Sequence, residues 1–413
     1  MKFRTEAIGK HFELQKGLGY KGQNLVEESD VGLLTIDAFI TGGGYKRGSE
    51  KPYDGDYKNS HLAESGDVLL AMTEQQEGLL ASPLKVPEDL GGMAELIYSL
   101  DVVKAVATSG ELTPEFLFNF LRVPLNRRRA AYGDTGTTVQ RLPYDVIYEQ
   151  LIPVPSLVEQ GKINSFVRML DRKIELNNEI VSTIEKILKT VFESWFINFE
   201  PVITKMAGIE PIGMDSETAA FFPNSMEDSE LGPIPEGWVV MKVDDLLDRL
   251  TVKPLPKSTK VQSVGRTVVL EQGDSTISGF IDEVASVQAS ADSPKFIFGD
   301  HTCRTYLSTL PFCVFPNTIV LTSKTRNSYW AHWATRDIQK FESYRRHWME
   351  LAVRKVVVPT SEICDKWGEL ASTAHAQMDL LMVQSRQLAA LRNALLPQLI
   401  SGELRIPEEI LES

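Results

Sequence analysis

A chain of 413 residues is longer than one hydrophobic core usually fills, and it points to two to four domains. Its 43% hydrophobic and 24% charged residues are ordinary for a globular protein, and no apolar run approaches the ~20 residues that cross a bilayer. A net charge of −13 excludes a uniformly basic nucleic-acid binder, so charge has to be read segment by segment.

The opening MKFRTEAIGKHFEL has no apolar signal-peptide core. Cys303, Cys313 and Cys364 make no even disulfide framework and no CxxC pair, so a cytoplasmic chain is expected. The glycine-rich GGGYKRGS at 42–49 lacks the GK[ST] of a phosphate loop, and Arg47 stands where GxGxxG needs its third glycine; it reads as a loop. Residues 66–72 (GDVLLAM) read as a strand. Residues 90–106 and 113–121 read as helices, the second with Thr113 as N-cap and Pro114 at the first helical position. Then comes a basic stretch: Arg122, Arg127, Arg128, Arg129 and Arg141 against Asp134 alone, with Tyr132 among them.

From 156 to 199 apolar residues recur at near-heptad spacing: Ile163, Phe166, Leu170, Ile174, Val181, Ile184, Leu188, Val191 and Trp195. Asn177 occupies a seam position, where a polar residue fixes register at some cost in stability. Such a helix would be a rod of roughly 60 Å. Residues 200–236 hold eight acidic residues, one basic residue (Lys205) and five prolines, and read as a solvated connector. Beyond it, 295–298, 312–315 and 318–321 read as strands. Asp300, His301 and Cys303 in FGDHTC offer no second ligand pair for zinc; a turn with Asp300 capping backbone amides is the better reading. Residues 323–355 form a second basic stretch, with eight basic residues against three acidic ones, and include Asn327, Tyr329 and Trp330. A second rod runs from 361 to 399, through Trp367, Leu370, Ala374, Met378, Leu381, Leu388, Leu391, Leu395 and Leu399.

Shifted by 204 positions, the second rod falls on the first, and VVVP ending at Pro359 falls on IPVP ending at Pro155. FRTEAIGKHF from Phe3 echoes WVVMKVDDLL from Trp238, with Ile8 on Val243. The chain therefore reads as two copies of one unit, an α+β globular domain followed by a long helix. Pseudo-two-fold symmetry would pack the rods antiparallel, burying Phe166, Ile174, Ile184, Leu381 and Leu388. Two basic surfaces, one per copy, suit two DNA readers held at a set spacing.

SWFINFEPV, GMDSETAAFFPNSMEDSELGPIPEGW and LLPQLISGELRIP resemble the signature stretches of type I restriction–modification specificity subunits, as do TGTTVQRLPYDVI and FGDHT. The resemblance runs the length of the chain. It implies a non-catalytic subunit with two target-recognition domains (1–155 and 237–360), a central helix (156–199), the acidic connector (200–236) and a C-terminal helix and tail (361–413). It implies double-stranded DNA, two methyltransferase subunits and motor–nuclease subunits as partners. S-adenosylmethionine, ATP and magnesium would then be held by those partners, with no cofactor or metal on this chain. The second copy departs from the pattern, with ESYRRHWMELAVR where the first has GTTVQR.

Charge and loop chemistry, not the resemblance, pick the DNA candidates. They are Lys46, Arg47, Arg127, Arg128, Arg129 and Thr137 for one half-site, and Lys324, Arg326, Asn327, Tyr329, Arg345 and Arg346 for the other. Trp195, Phe196, Phe199, Leu395, Leu396 and Leu399 exceed what a two-helix seam buries and are candidate partner contacts. Two alternatives are a coiled-coil scaffold that reads no DNA and a stand-alone nuclease. The nuclease would need a carboxylate cluster around a metal, and no such spacing appears.

Overall fold

The computed structural model describes residues 3–74, 78–131, 141–273 and 275–407, except the side chains of 128–131. The chain divides into two compact units, Met1–Arg172 with Leu391–Ser413, and Lys173–Ala390.

The first unit opens with β1 (Thr5–Ala7), β2 (Phe12–Lys16), β3 (Val31–Leu34), β4 (Lys51–Pro52), β5 (Val68–Ala71), β6 (Pro83–Lys85), β7 (Glu95–Tyr98) and β8 (Val102–Ala107). Helices α1 (Pro114–Arg122), α2 (Pro124–Ala131) and α3 (Tyr144–Glu149), strand β9 (Leu151–Pro153) and the start of α4 (Leu157–Phe192) follow. A four-stranded antiparallel sheet has the order β2-β8-β5-β6. A three-stranded sheet, β4-β3-β7, carries a parallel β3–β7 pair, and β1 pairs with β9.

The second unit contains α5 (Glu200–Met206), α6 (Ser216–Phe221), the hairpin β10 (Met226–Ser229) and β11 (Gly232–Pro235), β12 (Val239–Lys242), α7 (Val243–Leu246), β13 (Leu247–Leu250), β14 (Thr267–Leu270) and β15 (Ile277–Ile281). Then come β16 (Lys295–Gly299), β17 (Thr305–Ser308), β18 (Phe312–Val314), β19 (Thr318–Ser323), α8 (Ser328–Thr335), α9 (Trp348–Ala352), β20 (Lys355–Val358) and most of α10 (Ser361–Ser401). Apart from the β10-β11 hairpin, its sheets are β13-β19-β16-β17, β15-β14-β18 with β14 and β18 parallel, and β12-β20. Sheet for sheet, this repeats the first unit. The residues aligned by sequence, Ile8 and Val243, are both fully buried at the start of a short helical turn after the first strand of each copy.

Strand alternation explains the layers. Along β5, Val68 and Leu70 join the core under α1 and α4, while Leu69 and Ala71 join the core beneath the three-stranded sheet. Along β16, Phe296 and Phe298 face the helices and Ile297 faces the second sheet. A strand buried on both faces reads as a continuous apolar run. That is why residues 90–106, expected as a helix, are instead β7 and β8 with a tight turn between them. The other helix forms as expected: Thr113 Oγ1 accepts from Phe116 N at 3.2 Å, and Pro114 sits in the first turn.

The long helices run antiparallel within each unit. In the first, Asp171 on α4 meets Arg392 on α10 at 2.5 Å, while Ile163 and Val167 pack with Leu396, Leu399 and Ile400. In the second, Asn177 Nδ2 donates to Gln384 Oε1 at 2.9 Å, and Phe192 lies 5.2 Å from Trp367 between ring centroids. Of the expected seam, Leu381 is buried and Phe166, Ile174, Ile184 and Leu388 are half-buried, whereas Leu370 and Leu391 face solvent. Helix α4 loosens at its end, where Asn198 N donates to Glu193 O five residues back. The chain then turns at Phe199 with a left-handed φ of 54°.

The acidic segment 200–236 is more than a solvated connector. Its Val202, Phe222 and Ile234 are buried in the second unit's core beside Trp238. The charges lie on the outer side of two short helices and a hairpin, while widely spaced apolar residues turn inward. A composition average over the whole segment hides that division.

Candidate nucleic-acid interface

In the first unit the described candidates, Lys46, Arg47 and Arg127, meet at the loop between β3 and β4. Lys46 and Arg47 are exposed on it, and Arg47 Nη1 lies 3.0 Å from Asp89 Oδ2. Arg127, at the start of the basic stretch, is turned onto backbone: Nη1 donates to Arg122 O (2.7 Å), Leu121 O (3.0 Å) and Gly42 O (3.4 Å). It thus ties the end of α1 to the glycine loop. Gly43 has a φ of 104°, and a Cβ there would come within 2.7 Å of the Arg122 side chain, so the glycine allows this close approach. Arg128 and Arg129 belong to α2, but their side chains, and all of Thr137, lie outside the described residues.

In the second unit four candidates serve the fold. Lys324 Nζ donates to Asp244 O at 2.6 Å. Arg326 Nε donates to Pro359 O at 2.9 Å. Asn327 is the N-cap of α8: its Oδ1 accepts from Tyr329 N at 3.0 Å and its Nδ2 donates to Asp365 at 3.2 Å. Tyr329 is buried, and its hydroxyl donates to Ala291 O at 2.8 Å. As base readers, Asn327 and Tyr329 need correction: both side chains are already engaged, because the run that looked like an exposed basic loop is the capped start of a buried helix.

The more open part of this stretch is the loop before α9. Arg345 pairs with Glu342 and Glu350 at 2.9 Å each, and Arg346, 78% exposed, has Nε 3.8 Å from Asp300 Oδ2. Asp300 Oδ1 accepts from the amides of His347 (3.1 Å) and Trp348 (3.0 Å): it caps backbone amides as expected, but those at the start of α9 and not those of its own turn. His301 stacks on the exposed ring of Tyr344, with centroids 4.7 Å apart.

The expected exposure of the partner-contact residues is also corrected. Trp195, Phe196, Leu396 and Leu399 are buried, and Phe199 and Leu395 are half-buried. The globular parts cover them: Trp195 and Phe196 pack with Trp238 and Trp367 in the second unit, and Leu396 and Leu399 pack with Ile147 and Ile152 in the first. Among the apolar side chains left in solvent are Ile197, Ile203, Met206, Ile209 and, at 94% exposure, Ile212.

Among the described residues, one group has the spacing of a metal site: Glu6, His11 and Glu111. Its carboxylates are already met by Arg4 and Lys10, and His11 Nε2 lies 3.2 Å from Glu6 Oε2. Sequence reading passed over a further basic segment, residues 251–266 between β13 and β14, although its signal was present: four basic residues and no acidic one.

Residues 95–186 match the family model described as the type I restriction modification DNA specificity domain. The chain is 25% identical over 302 residues to the specificity subunit of the type I restriction enzyme MjaIX of Methanocaldococcus jannaschii, a match covering 66% of this chain and 65% of that relative. It is 23% identical over 360 residues to the specificity subunit of the type I restriction enzyme HindI of Haemophilus influenzae, over 70% of this chain and 77% of the relative. In fold it is similar to the solved S subunit of a type I restriction–modification system from M. genitalium, with a TM-score of 0.57 at 13% identity over 96% of each chain.

Proposed function

We propose that this chain is a type I restriction–modification specificity subunit and reads a bipartite DNA sequence with two units, one for each half-site. What supports this most is the agreement of match and repeat. The DNA specificity model covers β7 through most of α4 of the first copy, and the second copy has the same sheet order. Two equivalent units on one chain suit a target in two parts.

In this reading the basic side chains mostly meet phosphate and hold register, while a few read base edges. Lys46, Arg47, Arg128, Arg129 and Thr137 serve the first half-site, with Arg127 shaping the loop that carries Lys46 and Arg47. Arg345 and Arg346 serve the second, with Lys324 and Arg326 at its margin. A net-negative chain can still bind DNA where its cations cluster. Methylation and cleavage are assigned to partners, two methyltransferase subunits and motor–nuclease subunits, which would hold S-adenosylmethionine, ATP and magnesium in the cytoplasm.

Exchange of modules tests the reading. Residues 21–150 replaced by the same region of a relative should change one half of the recognised sequence and leave the other intact, as read by sequencing methylated sites. A change in both halves, or in neither, would sink the two-reader mechanism.

A further inference from the structure

The connector between β13 and β14, TVKPLPKSTKVQSVGR, carries Lys253, Lys257, Lys260 and Arg266 without an acidic residue. It is held at two places. Leu255 N donates to Val314 O at 2.8 Å, and Gln262 and Phe280 exchange a pair of backbone hydrogen bonds at 2.8 and 2.9 Å. Between them Thr259 N donates to Pro256 O at 2.9 Å, closing a turn. Leu255 and Val261 lie inward against a small apolar cluster. With that side turned in, all four cations are exposed, and none is ion-paired with a described residue. Four like charges on one anchored loop repel each other, and a polyanion relieves that repulsion.

The matching connector of the first unit, between β2 and β3, has the opposite balance. Residues 17–30 hold Lys21 against Glu27, Glu28 and Asp30. The topology is shared, so the fold does not require the cations of the second copy.

We infer that the β13–β14 connector is a phosphate clamp, which grips the backbone of duplex DNA beside the second half-site without reading its bases. This rests on the second unit being a DNA reader. Lysine is a flexible point charge that suits phosphate more than the bidentate edge of guanine, and Ser258 and Thr259 add hydroxyl donors between the lysines. The second unit then carries salt dependence that the first lacks at this position.

The test uses the full chain and a duplex it selects from a random pool. Lys253→Gln, Lys257→Gln and Lys260→Gln together should flatten the plot of log affinity against log salt by roughly one unit for each phosphate that is no longer neutralised. Selected and scrambled duplexes should lose affinity alike, and the three Lys→Arg changes should keep the slope. An unchanged slope overturns the clamp, and so does a loss confined to the selected duplex, which would mean base reading. Failure of the wild-type chain to select any duplex would instead overturn the reading of the chain as a DNA reader, and the clamp with it.

Discussion

Asp171 shows how single residues join the first unit. Arg122, from the end of α1, grips its carboxylate with both Nη atoms (2.6 and 3.0 Å), and Arg392 reaches it from α10 at 2.5 Å. One α4 carboxylate therefore ties together three helices that are far apart in sequence. Burial alone would raise its pKa, but the hydrogen bonds and charge of the two arginines outweigh burial and hold it below the usual value of 3.8. A depressed folded-state pKa gives stability that is present above 3.8 and lost as pH falls through the folded value. Asp171→Asn should cost about 2–3 kcal/mol at neutral pH, less than the ~3–5 for a fully buried pair because Asp171 stays a third exposed. Urea unfolding of wild type and variant should show the gap closing as pH drops below 3.8. A gap independent of pH would mean the contact works through packing and not through charge.

At the scale of elements, the two long helices owe their pairing to a narrow apolar seam interrupted by Asn177. That side chain is fully buried, and its Oδ1 has no partner although its Nδ2 reaches Gln384. A buried unmet acceptor costs about 1–3 kcal/mol, more than one neutral hydrogen bond returns. Asn177→Leu should therefore raise the thermal midpoint, by an amount corresponding to about 1 kcal/mol, at the expense of register specificity. A lowered midpoint would show that the Asn177–Gln384 bond outweighs the unmet acceptor.

At the scale of the molecule, the first unit is not a continuous stretch of chain. It takes residues 391–413 from the far end, and Leu396, Leu399, Ile400 and Ile406 lie in its core with Phe116 and Leu117. Each such side chain contributes about 1.5–3 kcal/mol by burial, so together they approach the whole stability of a domain. Deletion from residue 391 onward should strip exchange protection from β5 and α1 while β16 and β19 stay protected. Hydrogen exchange by mass spectrometry resolves the two regions. Equal loss in both would mean that the units do not unfold separately.

Periodicity and self-similarity determined most of the architecture from the sequence alone: two helices at near-heptad spacing, a repeat, and the Thr113 cap. These are local signals that survive in one dimension. Signature strings carried the family resemblance in the same way. Which apolar residues are covered was decided only in three dimensions. Trp195 and Leu396 looked like surplus surface because the domains that bury them lie elsewhere in the chain. The same holds for charge. Asn327 looks like a base reader as a letter, and becomes a helix cap once α8 and Asp365 stand beside it. The basic balance around Lys253, Lys257 and Lys260 is written in the sequence, but only the shared topology sets their connector against its acidic counterpart. Side-chain roles depend on contacts between distant residues, and those contacts exist only in the folded chain.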